Sequence, residues 1–291
     1  MDIRAILMGL AFAVMWSSAF TSARIIVASA PPLTALSLRF LCSGILGVLI
    51  ALALRQSWRL TRAQWRATII FGICQNALYL GMYFMAMRTV EASLAAIIAS
   101  TMPLLVGLAS WALLGQRIGV VGGVGLVAGV VGVGIIMGSR LQGGADLYGV
   151  ALCIGGVLAL TLATLTVRGA TSGGNFLMVV GLQMLVGSVA LGVVGLSFEP
   201  LVIDWSWQLI AAFIYTTLIP GLAATLVWFM LVNRIGAIKA ATFHFLNPFL
   251  GVAIAAVILG ETLGLTDMIG VAIVMAGILA VQLSRQKQAP T

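Results

Sequence analysis

FMAMRTVEASLAAIIASTMPLL (Phe84–Leu105) and FMLVNRIGAIKAATFHFLNPFL (Phe229–Leu250) stand 145 residues apart and align without a gap. Each is an apolar run with a proline inside it, Pro103 in the first and Pro248 in the second. The register continues outward. Leu113–Gly115 (LLG) answers Ile258–Gly260 (ILG), and Gly125 and Gly132 answer Gly270 and Gly277. A duplicated, interrupted apolar segment is the sequence mark of a membrane carrier, with a binding site between the copies.

The rest of the chain agrees with that reading. Of 291 residues, 62% are apolar, 22 are charged and 34 are glycine. Soluble domains carry about a quarter charged residues. In lipid, only helices or closed barrels satisfy the backbone. The apolar runs here are continuous over about 20 residues, the length of a spanning helix, and lack the alternation of barrel strands. The net charge of +8 does not point to nucleic acid, because the basic residues lie singly between apolar runs. Cys42, Cys74 and Cys153 sit inside such runs without metal or disulfide spacing and read as small apolar fillers.

Ten spans are expected, at 4–26, 33–54, 67–87, 92–113, 118–138, 147–167, 175–196, 207–230, 238–259 and 265–284. The breaks between them are short, among them Pro31-Pro32, Arg55–Arg66, Gln142-Gly143-Gly144, Ser172-Gly173-Gly174 and Glu199–Asp204. Ten spans put both termini on one side. That side collects eleven cations: Arg4, Arg55, Arg59, Arg62, Arg66, Arg117, Arg168, Arg234, Lys239, Arg285 and Lys287. The other side has Arg24, Arg39, Arg88 and Arg140. The bias places the termini in the cytoplasm. Five spans per half is an odd number, so equivalent helices run in opposite directions. The expected fold is an all-α polytopic membrane protein of ten helices in two inverted-topology repeats, residues 1–140 and 141–291.

Candidate site residues are the polar and aromatic groups at mid-depth. The ninth span carries His244, Asn247 and Pro248 on one face; His244 is the chain's one histidine. An ionisable group inside a membrane is costly and points to function, although a lone histidine can also be a satisfied core group. The third span carries Asn76, Tyr79 and Tyr83 at spacings of three and four, which suits cavity lining or interhelical hydrogen bonding. Pro103 and Pro248 free carbonyls that must face protein or water, unless they only kink a packed helix. Trp16 and Trp228 can form flat apolar walls, while Ser17 and Thr161 are small hydroxyls that either line the site or let helices approach and bond their own backbone. Arg39 either snorkels to the headgroups or holds a substrate carboxylate. No carboxylate falls in the middle of a span, and Glu261, just after the ninth, comes nearest. Nothing in the pattern suggests a metal site, a cofactor or a catalytic set.

Four segments resemble the drug/metabolite transporter superfamily, in its EamA-type branch of ten-helix carriers. They are MWSSAF (Met15–Phe20), LSLRFL (Leu36–Leu41), the small-residue runs ending in Pro103 and Pro248, and LLGQR (Leu113–Arg117) with ILGET (Ile258–Thr262). The family's usual glutamate in the last motif is Glu261 in the second copy but Gln116 in the first. Within the family the likeness is greatest to YddG-type exporters of aromatic amino acids. The resemblance implies a bacterial inner-membrane secondary transporter that exports amino acids and related small metabolites by alternating access. Sugar-phosphate or nucleotide-sugar exchange is the alternative, and a membrane-embedded enzyme a remote one. The expected partners are a small-molecule substrate and membrane lipid. A monomer is expected, with dimerisation through the glycine-rich fifth and tenth spans as the alternative.

Overall fold

The computed structural model describes residues 2–116, 118–142, 144, 146–166 and 174–288. Ten helices among these are long and apolar enough to cross a membrane. They are α1 (Ile3–Ser29), α2 (Pro32–Ala53), α3 (Arg62–Ala86), α4 (Ala92–Leu113), α5 (Val120–Arg140), α6 (Leu147–Leu165), α7 (Phe176–Phe198), α8 (Trp207–Ile235), α9 (Lys239–Leu259) and α10 (Leu265–Gln286). The expected all-helical, ten-span architecture is therefore present. Arg117, the stretch 167–173 with Arg168, Gly143 and the tail from 289 lie outside the described residues.

Two helices are longer than apolarity alone predicts. α3 starts at Arg62 rather than near 67, because Thr61 and Gln64 form a capping box. The Thr61 hydroxyl accepts from the Gln64 N–H, and the Gln64 side chain accepts in return from the Thr61 N–H. α8 continues past 230 to Ile235, where Gly236 (φ 82°) ends it. The helical runs of α4 and α9 close on Gly115 (φ 62°) and Gly260 (φ 68°), the matched glycines of LLG and ILG. Both occupy the left-handed cap conformation that a side chain disfavours.

Four spans are not regular helices throughout. α3 contains a π-helical stretch, Gly72–Tyr79, and α8 contains a shorter one, Ile219–Ala223. Shifted by the 145-residue repeat, the second falls on 74–78, inside the first. α4 is two helices, Ala92–Ser100 and Met102–Leu114, joined at Thr101. α9 passes through a 3₁₀ stretch, Thr242–Leu246, before Asn247–Leu259. Pro103 and Pro248 stand just past these joints, in the first turn of the following helix, where a missing N–H costs nothing.

The chain packs as two compact units, and each draws helices from both halves of the sequence. The first consists of Met1–Thr21, Thr89–Ala151 and Ala223–Thr291. Within it α5 runs along α10 on glycine. A Cβ on Gly277 would stand 2.6 Å from the Gly125 carbonyl oxygen, and one on Gly132 would stand 2.9 Å from that of Gly270. Lipid gives helices no hydrophobic reason to associate, so close backbone contact of this kind supplies the attraction. Glu261 follows α9 and caps α4: its carboxylate accepts from the backbone N–H of Ala92 (2.7 Å) and Ser93 (2.9 Å). At the same end of α4, Arg140 pairs with Glu91 and with the buried Asp267, the latter at 2.9 Å.

The second unit consists of Ser22–Arg88 and Leu152–Leu222. Here α2 runs along α7 through a reciprocal serine pair. Ser37 Oγ donates to the Ser188 carbonyl (2.8 Å), and Ser188 Oγ donates to the Ser37 carbonyl (2.9 Å). Glu199 caps α2 as Glu261 caps α4, accepting from the N–H groups of Leu33 and Thr34, each at 2.8 Å. A carboxylate at a helix start satisfies orphan donors and complements the helix dipole. That assigns Glu261 a structural task, at the end of its span.

Candidate functional site

In the first unit, the 3₁₀ stretch of α9 turns His244 toward α1 and α8. Its ring meets Phe12 edge-on (centroids 5.3 Å, 85°), Trp16 edge-on (6.5 Å, 88°) and Trp228 at a tilt (5.1 Å, 59°). Phe12 packs in turn on Trp16 (5.6 Å) and Trp228 (4.7 Å). These are favourable edge and tilted arrangements, with the positive rim of one ring against the negative face of the next. Phe12 is buried, but Trp16, Trp228 and His244 are only half-buried. The three rings thus form a continuous, partly exposed aromatic wall.

The polar side of this wall is fixed by the next turn. Asn247 Nδ2 lies 2.9 Å from His244 Nδ1. With the amide nitrogen facing the ring, Nδ1 is placed to accept this bond. Ser17 Oγ lies 3.5 Å from both the carbonyl and the side-chain oxygen of Asn247, at the outer limit of a hydrogen bond. Ser17, Asn247 and Pro248 are all buried. Five of the residues singled out in the sequence therefore meet, Trp16, Ser17, Trp228, His244 and Asn247, and Pro248 follows Asn247 in the chain. Pro103 belongs to the same unit, at the joint of α4.

The remaining candidates belong to the second unit, and most of their polar groups are already engaged. Asn76 Nδ2 donates to the Gln183 carbonyl at 2.9 Å, which ties α3 to α7. Thr161 Oγ1 donates to its own helix, at the Val157 carbonyl (2.8 Å). Tyr79 and Tyr83 are buried and pack on one another at a tilt (centroids 4.7 Å, 59°). The Tyr83 ring lies on the bare backbone of Gly156, where a Cβ would come within 2.8 Å. Arg39 does not snorkel. It is 5% exposed, and its Nε donates to the Thr216 carbonyl at 3.2 Å.

Phe12 was not among the residues expected at the site. Its signal is its position one turn before Trp16, on the face that also holds Gly9. A Cβ on Gly9 would stand 2.3 Å from the Phe243 ring, so this glycine lets α1 approach α9. A separate small cavity of about 30 Å³ in the first unit is bordered by Gly107, Ser110, Gln116, Ser284 and Arg285. Its size suits a water molecule rather than a substrate, and none of the expected site residues lines it.

The profile of the EamA-like transporter family matches the sequence twice, over residues 3–138 and 147–283. The chain belongs to the EamA-like transporter family. Among its relatives, the EamA-like chain is 27% identical to the uncharacterized transporter YvbV of Bacillus subtilis (strain 168), covering 94% of this chain and 90% of the relative. It is 26% identical to the uncharacterized transporter sll0355 of Synechocystis sp. (strain ATCC 27184 / PCC 6803 / Kazusa), covering 94% and 88%. A crystal structure 20% identical in sequence superposes with a TM-score of 0.71 over 99% of this chain and 100% of its own, which shows the shared fold. This EamA-like protein is a multi-pass membrane transporter.

Proposed function

We propose that the protein is a secondary transporter of the bacterial inner membrane that exports amino acids, aromatic ones first, and related small metabolites. The observation that carries this reading is the partly exposed wall of Trp16, Trp228 and His244 at the joint of α9. Flat rings at fixed angles favour a flat apolar ligand. The Asn247 and Ser17 groups beside them offer hydrogen bonds to its polar end.

Residues 1–140 and 141–291 act as two five-helix repeats of inverted topology, with both termini in the cytoplasm. The charge bias supports that orientation, and the matched interruptions in α3/α8 and α4/α9 support the repeat. Such an architecture works by alternating access, and the joints are where the backbone can bend. Lipid and a small-molecule substrate are the only partners required, and the working form is a monomer.

The test is counterflow of labelled L-phenylalanine, L-tryptophan and L-leucine into liposomes holding the purified protein. Uptake of the aromatic pair above leucine is expected, with at least a ten-fold loss for Trp228→Ala. Absence of counterflow for all three would refute the amino-acid reading.

A further inference from the structure

Pro220 has no N–H, so the carbonyl four residues earlier, on Thr216, loses its α-helical donor. The next carbonyl, on Thr217, lies in the last turn before the π-helical stretch Ile219–Ala223. Two residues of α2, one turn apart, supply donors to these carbonyls. Arg39 Nε serves Thr216 and Ser43 Oγ serves Thr217, each at 3.2 Å. Ser43 demonstrates that a neutral hydroxyl suffices for this task. Arg39 brings in addition a full charge, to a position 5% exposed.

That charge is not balanced within the unit. Among the described residues no carboxylate lies within ion-pair distance of Arg39, and its hydrogen bonding uses Nε alone. The Phe40 ring lies 5.0 Å from the guanidinium carbon, and the helix Trp207–Leu218 ends beside it. A helix C-terminus offers about half a negative charge, and a ring offers a cation only the weak attraction of its quadrupole. Neither equals a counter-ion for a charge removed from water. The other described cations of this unit differ: Arg24 is half-buried, and Arg55, Arg59, Arg62, Arg66 and Arg88 are exposed.

We propose that Arg39 binds an anionic group of the transported molecule, and that this group is a single carboxylate. The Nη fork matches a carboxylate in geometry, with two parallel N–H donors. One buried cation balances a monoanion, whereas a phosphate dianion would call for a second. The proposal rests on the transport reading and narrows it to carboxylate-bearing substrates.

The experiment is thermal unfolding of the purified full chain with sodium benzoate, benzamide or inorganic phosphate at equal ionic strength. Benzoate at ten times its half-saturating concentration is expected to raise Tm by roughly 3 °C. Benzamide and phosphate should leave it unchanged. Arg39→Gln should abolish the response, and Arg39→Lys, which keeps the charge but not the fork, should weaken apparent affinity at least ten-fold. Ser43→Ala should lower Tm and keep the benzoate response. An equal response to benzoate and benzamide overturns the proposal, as does an undiminished response in Arg39→Gln or, where that variant does not fold, in Arg39→Lys. A phosphate response larger than that to benzoate overturns the carboxylate assignment. A specific benzoate response without amino-acid counterflow would uphold Arg39 as an anion site and sink the amino-acid reading. Counterflow that is indifferent to both Arg39 variants would do the reverse.

Discussion

Gly277→Ala should loosen the first unit more than any other single methyl added to a glycine of α5 or α10. An ideal Cβ at Gly277 would stand 2.6 Å from the Gly125 oxygen, 2.7 Å from the Gly129 nitrogen and 3.0 Å from the Gly129 Cα. Ordinary contact begins at 3.4 Å, so the shortfall is 0.8 Å. All three obstacles are backbone atoms, which cannot rotate aside as a side chain can. α5 and α10 must separate, and the contacts at Gly132 and Gly270 open with them. Overpacking costs about 1–3 kcal/mol, and rigid obstacles put this case at the upper end. Replacing glycine by alanine inside a helix returns about 1 kcal/mol. The net is about 2 kcal/mol of destabilisation, or a Tm lower by roughly 4–8 °C. Gly134 supplies the control on α5, since a Cβ there meets nothing within 4 Å. Gly134→Ala should hold or slightly raise Tm. Thermal unfolding of the three proteins in one detergent decides the matter, and equal midpoints for both variants would refute the close-packed glycine seam.

Glu261→Ala removes the acceptor of the Ala92 and Ser93 N–H groups. A loss of about 1 kcal/mol is expected, with Glu261→Gln intermediate, and amide exchange at those two positions should speed up before exchange elsewhere in α4. Asp146 lies just before α6, and the Thr89 hydroxyl bond (2.6 Å), with the N–H groups of Gly149 and Tyr148, holds its pKa below the ordinary 3.8. A depressed folded pKa means that this contribution is present above the unfolded value and fades as pH falls through the folded one; Thr89→Val should move the Asp146 titration, followed by carboxyl NMR, back toward 3.8.

The ten spans were legible because a spanning helix needs about 20 apolar residues, and this sequence states that plainly. The ends of α3 and α8 were not, because Arg62, Gln64, Asn233 and Arg234 lower the apolar signal where capping chemistry extends the helix. At the site, spacing within one helix could join His244 to Asn247. It could not bring Trp16 and Trp228 to them, since those contacts cross from α1 and α8. Asn76 and Arg39 show the opposite difficulty. The sequence leaves Asn76 open between cavity lining and interhelical bonding, and Arg39 between the headgroups and a substrate, and each serves a carbonyl on a neighbouring helix. Only the partner helix reveals which polar group is already engaged.

The interruptions themselves follow one rule. A break in a membrane helix exposes backbone groups that water cannot reach, so a neighbouring group must answer them. At Thr216 and Thr217 the donors are Arg39 and Ser43 of α2. At the joint of α4, side chains of the joint itself bond back, Ser100 to the Ala96 carbonyl and Thr101 to that of Ile98. At the joint of α9, Thr242 bonds to the Lys239 carbonyl, and Asn247 spends its amide on His244. The equivalent positions in the first copy, Ala99 and Met102, have no such groups. The two joints fall at equivalent places in the repeat, but only the second presents an imidazole, an amide and two indoles together. A ligand would meet unlike chemistry at the two joints, so variants at His244 and Asn247 should alter binding far more than variants at Ala99 and Met102.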